Sequence, residues 1–327
     1  MNGQGAIGIV VIGRNEGQRL IDCLTSLGSR ITATVYVDSG STDGSVEAAQ
    51  RLGARVLQLD MTSGFTAARA RNAGFARLVA SQPEIGLVQF VDGDCMVDAG
   101  WLARAAEELR LYPDCAVVCG RRRERRPDAT IYNWLCDREW DTPIGEADAC
   151  GGDALMRRTA FEAVRGYRED LVAGEEPELC LRLRRLNWKI RRIDHEMTLH
   201  DAAITRFGQW WRRSVRAGHA FAEVSWMYRH APDRIWQAST RRAVLWSALL
   251  PASLLLALLV GPAALLLLLA YPAQAARLAL KAGWRDLRNW QGGALSILGK
   301  FAEVDGVLRF HLRRLQHRRS QLIEYKG

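Results

Sequence analysis

Leu87-Val88-Gln89-Phe90-Val91-Asp92-Gly93-Asp94 carries an apolar β-rich run straight into two carboxylates separated by one glycine. Carboxylate oxygens are hard ligands suited to Mg²⁺ or Mn²⁺, and such an ion bridges the oxygens of a diphosphate. Glycine between the two acids lets the backbone turn tightly and lets a ligand come close. Alone the string also fits an ordinary polar turn closing a strand, so its meaning rests on what surrounds it.

Upstream, further β-rich runs lie at residues 7–12, 34–37 and 55–59, with the fourth at 86–91. Helical patterns fall between them at about 16–28, 44–52 and 66–80. This alternation predicts an α/β domain with a mostly parallel sheet flanked by helices, which binds its ligands at the carboxyl ends of the strands. Arg14, Asn15 and Glu16 follow the first run, Asp38 the second, and Asp92 and Asp94 the fourth. Gly3, Gly5 and Gly8 match a dinucleotide-binding glycine pattern but precede the first strand. That chemistry needs the glycines in the turn after a strand, so the match is set aside.

The chain has 327 residues and a net charge of +9, unevenly spread. Residues 1–205 hold 26 basic and 30 acidic side chains, whereas residues 206–327 hold 19 basic and 6 acidic. A nucleic-acid enzyme concentrates positive charge around its cleft, so this split argues against a nucleic-acid partner. Seven cysteines, an odd number without a C-x-x-C pair, fit free thiols in a reducing compartment and give no disulfide framework or zinc signature. No secretory signal is expected, because the apolar run at 7–12 is too short.

Residues 243–276 contain no charged side chain and include LLLALLV (254–260), Gly261-Pro262 and AALLLLLAY (263–271). A stretch this apolar on every face belongs in lipid. Arg241 and Arg242 precede it, and Arg277, Lys281, Arg285 and Arg288 follow it. Positive charge on both flanks places both in the cytoplasm and favours a hairpin or re-entrant segment turning at Gly261-Pro262. Residues 206–242 mix Phe207, Trp210, Trp211, Phe221, Trp226 and Tyr228 with arginines. This reads as an amphipathic helix in the headgroup layer or, more plainly, as a basic helix packed on the protein. The tail, 277–327, is a further basic helical stretch, its amphipathic part running from Phe301.

Across residues 5–200 the chain resembles the family 2 glycosyltransferases of the GT-A fold. The resemblance is carried by motifs in order: VVIGRNEG (10–17), VDSGSTDGS (37–45), ARNAGFA (70–76), VDGDC (91–95), CGGDALMRR (150–158) and GYREDLVAGEEPELCLRLRRLNWKI (166–190). The following segment, from LHDAAITRFGQWWRR (199–213) into the apolar stretch, is similar to bacterial transferases of exopolysaccharide assembly. The domains expected are therefore a catalytic domain at 1–205, an interfacial segment at 206–242, a membrane hairpin at 243–276 and a cytoplasmic tail at 277–327.

The resemblance implies roles. Asn15, Glu16 and Asp38 would hold the nucleoside, Arg71 would lie beside the base or phosphates, and Asp92 would contact the ribose. Asp94 would ligate Mn²⁺ or Mg²⁺ on the diphosphate, with His200 a further metal ligand or diphosphate contact. Glu176 or Glu175 would be the general base that deprotonates the acceptor, which gives an inverting transfer. The family commonly has Glu-Asp where this chain reads Glu175-Glu176-Pro177-Glu178, and acids at a helix start are also what the helix dipole favours. Gln209-Trp210-Trp211-Arg212-Arg213 only approximates the signature of processive synthases, so transfer of one sugar is expected rather than polymer export. Trp140 and Asp141 lie in a stretch expected to cover the acceptor side. The expected partners are a nucleotide-diphosphate sugar and a lipid-linked or membrane-held acceptor at the cytoplasmic face of the cell membrane. Two alternatives are a catalytically lost nucleotide-binding scaffold and a nucleotidyltransferase.

Overall fold

The computed structural model describes residues 6–62 and 64–317, so Gly3 and Gly5 of the glycine pattern and the end of the basic tail lie outside the described residues. The chain divides into two compact units. The first takes residues up to Pro127, Cys136–Leu171 and Glu175–Ala202; the second takes Asp128–Leu135, Val172–Gly174 and everything from Ala203.

In the first unit, β1 (Ala6–Gly13), β2 (Thr34–Asp38), β3 (Arg55–Gln58) and β4 (Ile85–Asp92) are the four β-rich runs read from the sequence. They lie side by side in the order β3-β2-β1-β4, all parallel. Helices α1 (Gln18–Ser26), α2 (Ser45–Arg51) and α3 (Ala67–Ser81) connect them. Right-handed crossovers of this kind leave the carboxyl ends of β1, β2 and β4 on one edge. Ile9, Val10 and Val11 of β1 and Val88, Phe90 and Val91 of β4 are fully buried, as strands covered on both faces require. Gly74 of α3 permits the close packing of this layer. A Cβ there would lie 2.4 Å from Val10 Cγ1 and 2.8 Å from Val37 Cγ2.

Beyond β4 the sheet changes character. β5 (Cys95–Val97), β6 (Cys115–Glu124), β7 (Gly145–Glu146), β8 (Ala154–Arg157) and β9 (Lys189–His200) complete nine strands among the described residues. β8 runs antiparallel between β4 and β6, β9 lies parallel to β6, and β5 returns antiparallel on β9. Helices α4 (Trp101–Leu111), α5 (Ile131–Glu139), α6 (Arg158–Ala163) and α7 (Glu175–Arg185) fill the connections. Gln89, wholly buried in β4, is satisfied by accepting a 2.8 Å hydrogen bond from the Trp101 indole N–H.

The second unit is helical: α8 (Phe207–Met227), α9 (Gln237–Leu259), a 3₁₀ segment (Pro262–Leu269) continuing into α10 (Ala270–Gly283), and α11 (Leu287–Leu315). α9 and the run Pro262–Gly283 are each long and apolar enough to cross a membrane, and little of either is buried. Leu258, Leu259 and Val260 at the turn are more than 70% exposed. Tyr271 donates a 2.8 Å hydrogen bond to the Trp246 carbonyl, which ties the two helices side by side. The two helices together extend past both ends of the uncharged segment 243–276. Arg241 and Arg242 lie within α9, and Arg277 and Lys281 within α10, where long basic side chains reach out of the apolar zone.

α8 and α11 cross almost backbone to backbone. A Cβ on Gly218 would lie 1.9 Å from the Glu303 carbonyl oxygen, and one on Gly306 2.0 Å from that of Val215. Small residues at a crossing allow this approach. The face of α8 that includes Trp210, Val215, His219 and Val224 is buried within this unit, and Trp210 stacks on Tyr132. Phe207 remains exposed.

Candidate active site

The first two strand ends are tied into one loop. Asn15, at positive φ, accepts from the Thr42 amide at 2.7 Å through its side-chain oxygen, and its own amide donates to Ser41 Oγ at 2.9 Å. Asp38 closes β2 with both oxygens engaged. One accepts from the Tyr36 hydroxyl at 2.9 Å, the other from the amides of Gly40 and Ser41 at 3.0 and 2.9 Å. Glu16 pairs with Arg19 at 2.8 Å, and its side chain borders Gly93. The Gly93 amide donates to the Ile12 carbonyl at 2.8 Å, so the turn between the two aspartates lies against the end of β1.

Asp92 is held from both sides by arginine. Arg71 reaches its Oδ1 at 2.7 Å and also Glu175 Oε1 at 2.7 Å; Arg122 reaches its Oδ2 at 3.2 Å and also Asp153 Oδ2 at 2.6 Å. Asp153 further accepts from the Asp92 amide at 3.0 Å and from the Thr198 hydroxyl at 2.8 Å. Glu175, Arg71, Asp92, Arg122 and Asp153 therefore form a chain of alternating charge. Burial pushes the Asp92 carboxyl up, but the two guanidiniums outweigh it and hold the group well below the usual carboxylate range. Arg71 is 3% exposed, so it faces its two carboxylate partners rather than open solvent.

Asp94 and His200 meet on the far side of the Gly93 turn. Cys95 is the register partner of His200 in the β5–β9 pair, and Glu124 is its partner across β6–β9. Asp94 Oδ2 lies 3.3 Å from His200 Nε2 and both side chains are buried; His200 Nδ1 lies 3.9 Å from Glu124 Oε2. Nδ1 is buried and has no hydrogen-bond partner among the described residues. Burial, helped by Arg122, pushes the imidazole pKa below its ordinary value despite the pull of Glu124, so the ring is neutral at physiological pH. Trp140 meets the imidazole edge-on at 4.7 Å, and Asp141 pairs with Arg121. A buried carboxylate beside a neutral imidazole, with a second carboxylate behind the ring, is a donor set that fits Mn²⁺ or Mg²⁺. Cys95 Sγ also lies within 4.8 Å of both groups. A thiol is a soft donor and a poor ligand for a hard ion, so Cys95 is set aside.

The two adjacent glutamates at the start of α7 differ. Glu175 is paired with Arg71, whereas no cation pairs with Glu176 among the described residues. Glu176 Oε1 accepts from the Cys150 amide at 2.6 Å and lies 3.7 Å from Cys180 Sγ. Burial raises its pKa; the Gly151 and Cys150 amides pull it down, and Glu175 pushes it up again, with a net rise.

Among the residues named from sequence, Asn15 and Asp38 both hold the loop after β2, Glu16 borders Gly93, Arg71, Asp92 and Glu175 share one ion network, and Asp94 meets His200. Arg122, Glu124 and Asp153 complete these clusters and were missed. Asp153 sits inside CGGDALMRR, but nothing in that string marks its partners; Arg122 and Glu124 are two of six charged residues in a row.

Residues 8–165 match the family model for glycosyl transferase family 2, a stretch that contains Asn15, Glu16, Asp38, Arg71, Asp92 and Asp94 and stops short of Glu175, Glu176 and His200. Among solved structures, the chain is similar to the mannosyltransferase PcManGT from Pyrobaculum calidifontis in complex with GDP-Man and Mn²⁺. That similarity has a TM-score of 0.60 and 18% identity, covering 94% of this chain and 87% of the other. A second, described only as a mycobacterial protein, has a TM-score of 0.49 and 19% identity, covering 67% of this chain and 74% of its own. No curated protein matches the sequence. Residues 8–165 are a glycosyl transferase family 2 domain, and the chain is a glycosyltransferase of the GT-A fold.

Proposed function

We propose that this glycosyltransferase moves one sugar, with inversion, from a nucleotide-diphosphate sugar to a membrane-held, lipid-linked acceptor in polysaccharide or glycolipid synthesis. The observation that carries the reading is the Asp94–His200 pair at the carboxyl edge of the sheet, beside the loops that follow β1 and β2. Asp94 and His200 would hold Mn²⁺ or Mg²⁺, which would supply positive charge against the departing diphosphate. The similar mannosyltransferase contains GDP-Man and Mn²⁺, in keeping with this donor class and ion.

The loops joined through Asn15 and Asp38 would receive the nucleoside, and Asp92, its charge fixed by Arg71 and Arg122, the ribose hydroxyls. Glu176 takes the proton from the acceptor hydroxyl. It is the better base of the two glutamates because its carboxyl is not neutralised by a guanidinium and its pKa is shifted toward neutrality. Glu175 positions Arg71 instead. The exposed apolar helices α9 and α10 support a hairpin anchor, which would hold the enzyme at the cytoplasmic face and raise its encounter rate with a lipid acceptor. Purified protein given Mn²⁺ and a panel of UDP-, GDP- and dTDP-sugars should release a nucleoside diphosphate. Release of pyrophosphate would identify a nucleotidyltransferase, and no turnover of any donor would leave the scaffold.

A further inference from the structure

Cys150, Glu176 and Cys180 form a second group of ligating side chains, separate from Asp94 and His200. One ligand atom from each lies within 4.8 Å of the other two. Glu176 and Cys180 are one helical turn apart on α7, so they share a face. Cys150, in the loop before β8, packs onto that face. Its Sγ lies 3.6 Å from Cys180 Sγ, and Cys180 Sγ lies 3.7 Å from Glu176 Oε1. In a tetrahedral zinc site, bonds of about 2.3 Å to sulfur and about 2.0 Å to oxygen imply sulfur–sulfur edges of about 3.8 Å and sulfur–oxygen edges of about 3.5 Å. Both edges that meet at Cys180 already hold these spacings, and the Cys150–Glu176 edge lies within 4.8 Å.

We propose that Cys150, Cys180 and Glu176 bind a thiophilic divalent cation of the Zn²⁺ class. Two sulfurs and one carboxylate select such an ion over Mg²⁺ or Mn²⁺, which the oxygen and nitrogen donors of Asp94 and His200 suit better. Three protein ligands leave a fourth position for water. The cysteines bind as thiolates, so uptake releases two protons to solvent and affinity falls as pH falls. Glu176 is only partly buried, whereas both cysteines are buried. The sequence hides the site because its cysteines are thirty positions apart. The consequence rests on the reading of Glu176 as base: an ion bound there occupies the carboxylate and stops transfer while the Mn²⁺ site stays filled.

The full-length protein in detergent, with Mn²⁺ present, would be titrated with Cd²⁺ and followed by thiolate-to-cadmium absorption in the near ultraviolet. The expected result is a band saturating at one equivalent, lost in both Cys150→Ala and Cys180→Ala. It should persist in Cys115→Ala, which removes a buried thiol elsewhere. Circular dichroism identifies any variant that fails to fold, and Glu176→Gln, which keeps both thiols, should weaken cadmium binding about tenfold. No band in the wild-type protein, or a band that survives both cysteine substitutions, overturns the site. Donor turnover in the same titration should drop at least tenfold. A band without loss of turnover keeps the cation site and removes Glu176 as the base.

Discussion

Asp94 Oδ2 and His200 Nε2 stand 3.3 Å apart because Cys95, the residue after Asp94, is the register partner of His200 in the β5–β9 pair. A single ladder therefore sets the spacing of two side chains more than a hundred positions apart. His200 ends β9 and Asp94 sits in the two-residue turn directly before β5, so both are tied to the sheet rather than to a long loop. Asp94→Ala should abolish Mn²⁺-supported donor turnover, with a loss of at least about 10²-fold in kcat. His200→Ala should raise the Mn²⁺ concentration needed for half-maximal rate. Metal titrations of turnover check both, and unchanged metal dependence in the two variants would remove these residues from the metal site.

Glu124 lies behind His200, 3.9 Å from its Nδ1, with both of its oxygens held by the backbone amides of Arg126 and Ala202. It is placed to orient the imidazole without touching substrate. Glu124→Gln should weaken Mn²⁺ affinity by about 10–100-fold and leave kcat at saturating metal nearly unchanged. A loss in kcat that excess Mn²⁺ cannot restore would assign Glu124 another part.

The parallel half of the sheet was legible because each of its strands is a contiguous apolar run, and Asp38 and Asp92 mark two of the strand ends. The antiparallel half was not. Asp153 reaches Asp92 only after β8 inserts between β4 and β6, and no local pattern announces that insertion. Arg122 and Glu124 look like solvated charge in CGRRRERR until β9 pairs along β6, buries Glu124 and partly covers Arg122. The same limit applies to α11. Its basic amphipathic pattern does not say what it packs on, whereas Gly306, set against Gly218 of α8, does.

Arg71 joins Asp92 and Glu175, with side-chain exposures of 4, 27 and 12%. Removing the cation leaves the Glu175 carboxylate without its partner and Asp92 with Arg122 alone. Arg71→Met should cost about 3–5 kcal/mol of stability, and Arg71→Lys less, because one ammonium cannot span both partners as a guanidinium does. Thermal unfolding of the detergent-solubilised variants checks the order. Equal midpoints for wild type and Arg71→Met would show that the network adds nothing to the fold.

The membrane reading gives Val260 a specific position. The two helical runs that meet beside it have 23 and 22 residues, and at no less than about 1.5 Å per residue each reaches at least about 33 Å, enough to cross a hydrocarbon core of about 30 Å. Val260, 82% exposed at the turn, should then lie on the extracytoplasmic side, and Trp284, 60% exposed after α10, on the cytoplasmic side. The seven native cysteines are buried, so an introduced thiol is read against a low background. In intact cells Val260→Cys should react with a membrane-impermeant maleimide, and Trp284→Cys should react only after lysis. Protection of both positions until lysis would make the segment re-entrant.

The Glu176 carboxyl has its pKa raised above the ordinary 4.5, chiefly by burial. The sign follows directly. A base must be deprotonated to act, so kcat/KM should rise with pH through the Glu176 pKa, and this acid limb should lie above the range of an exposed glutamate. Folding has the opposite dependence. A carboxyl that holds its proton more tightly when folded contributes stability below its unfolded pKa and loses it as pH rises through the folded value. Glu176→Gln keeps the neutral form at every pH. It should therefore lose about 10²–10⁴-fold in kcat while unfolding no earlier than wild type at pH 7. Rate profiles in zinc-free buffer and thermal melts at two pH values separate the effects. If Glu176→Gln keeps full activity while Glu175→Gln loses it, the base is Glu175, and Arg71 must release that carboxylate in the working complex.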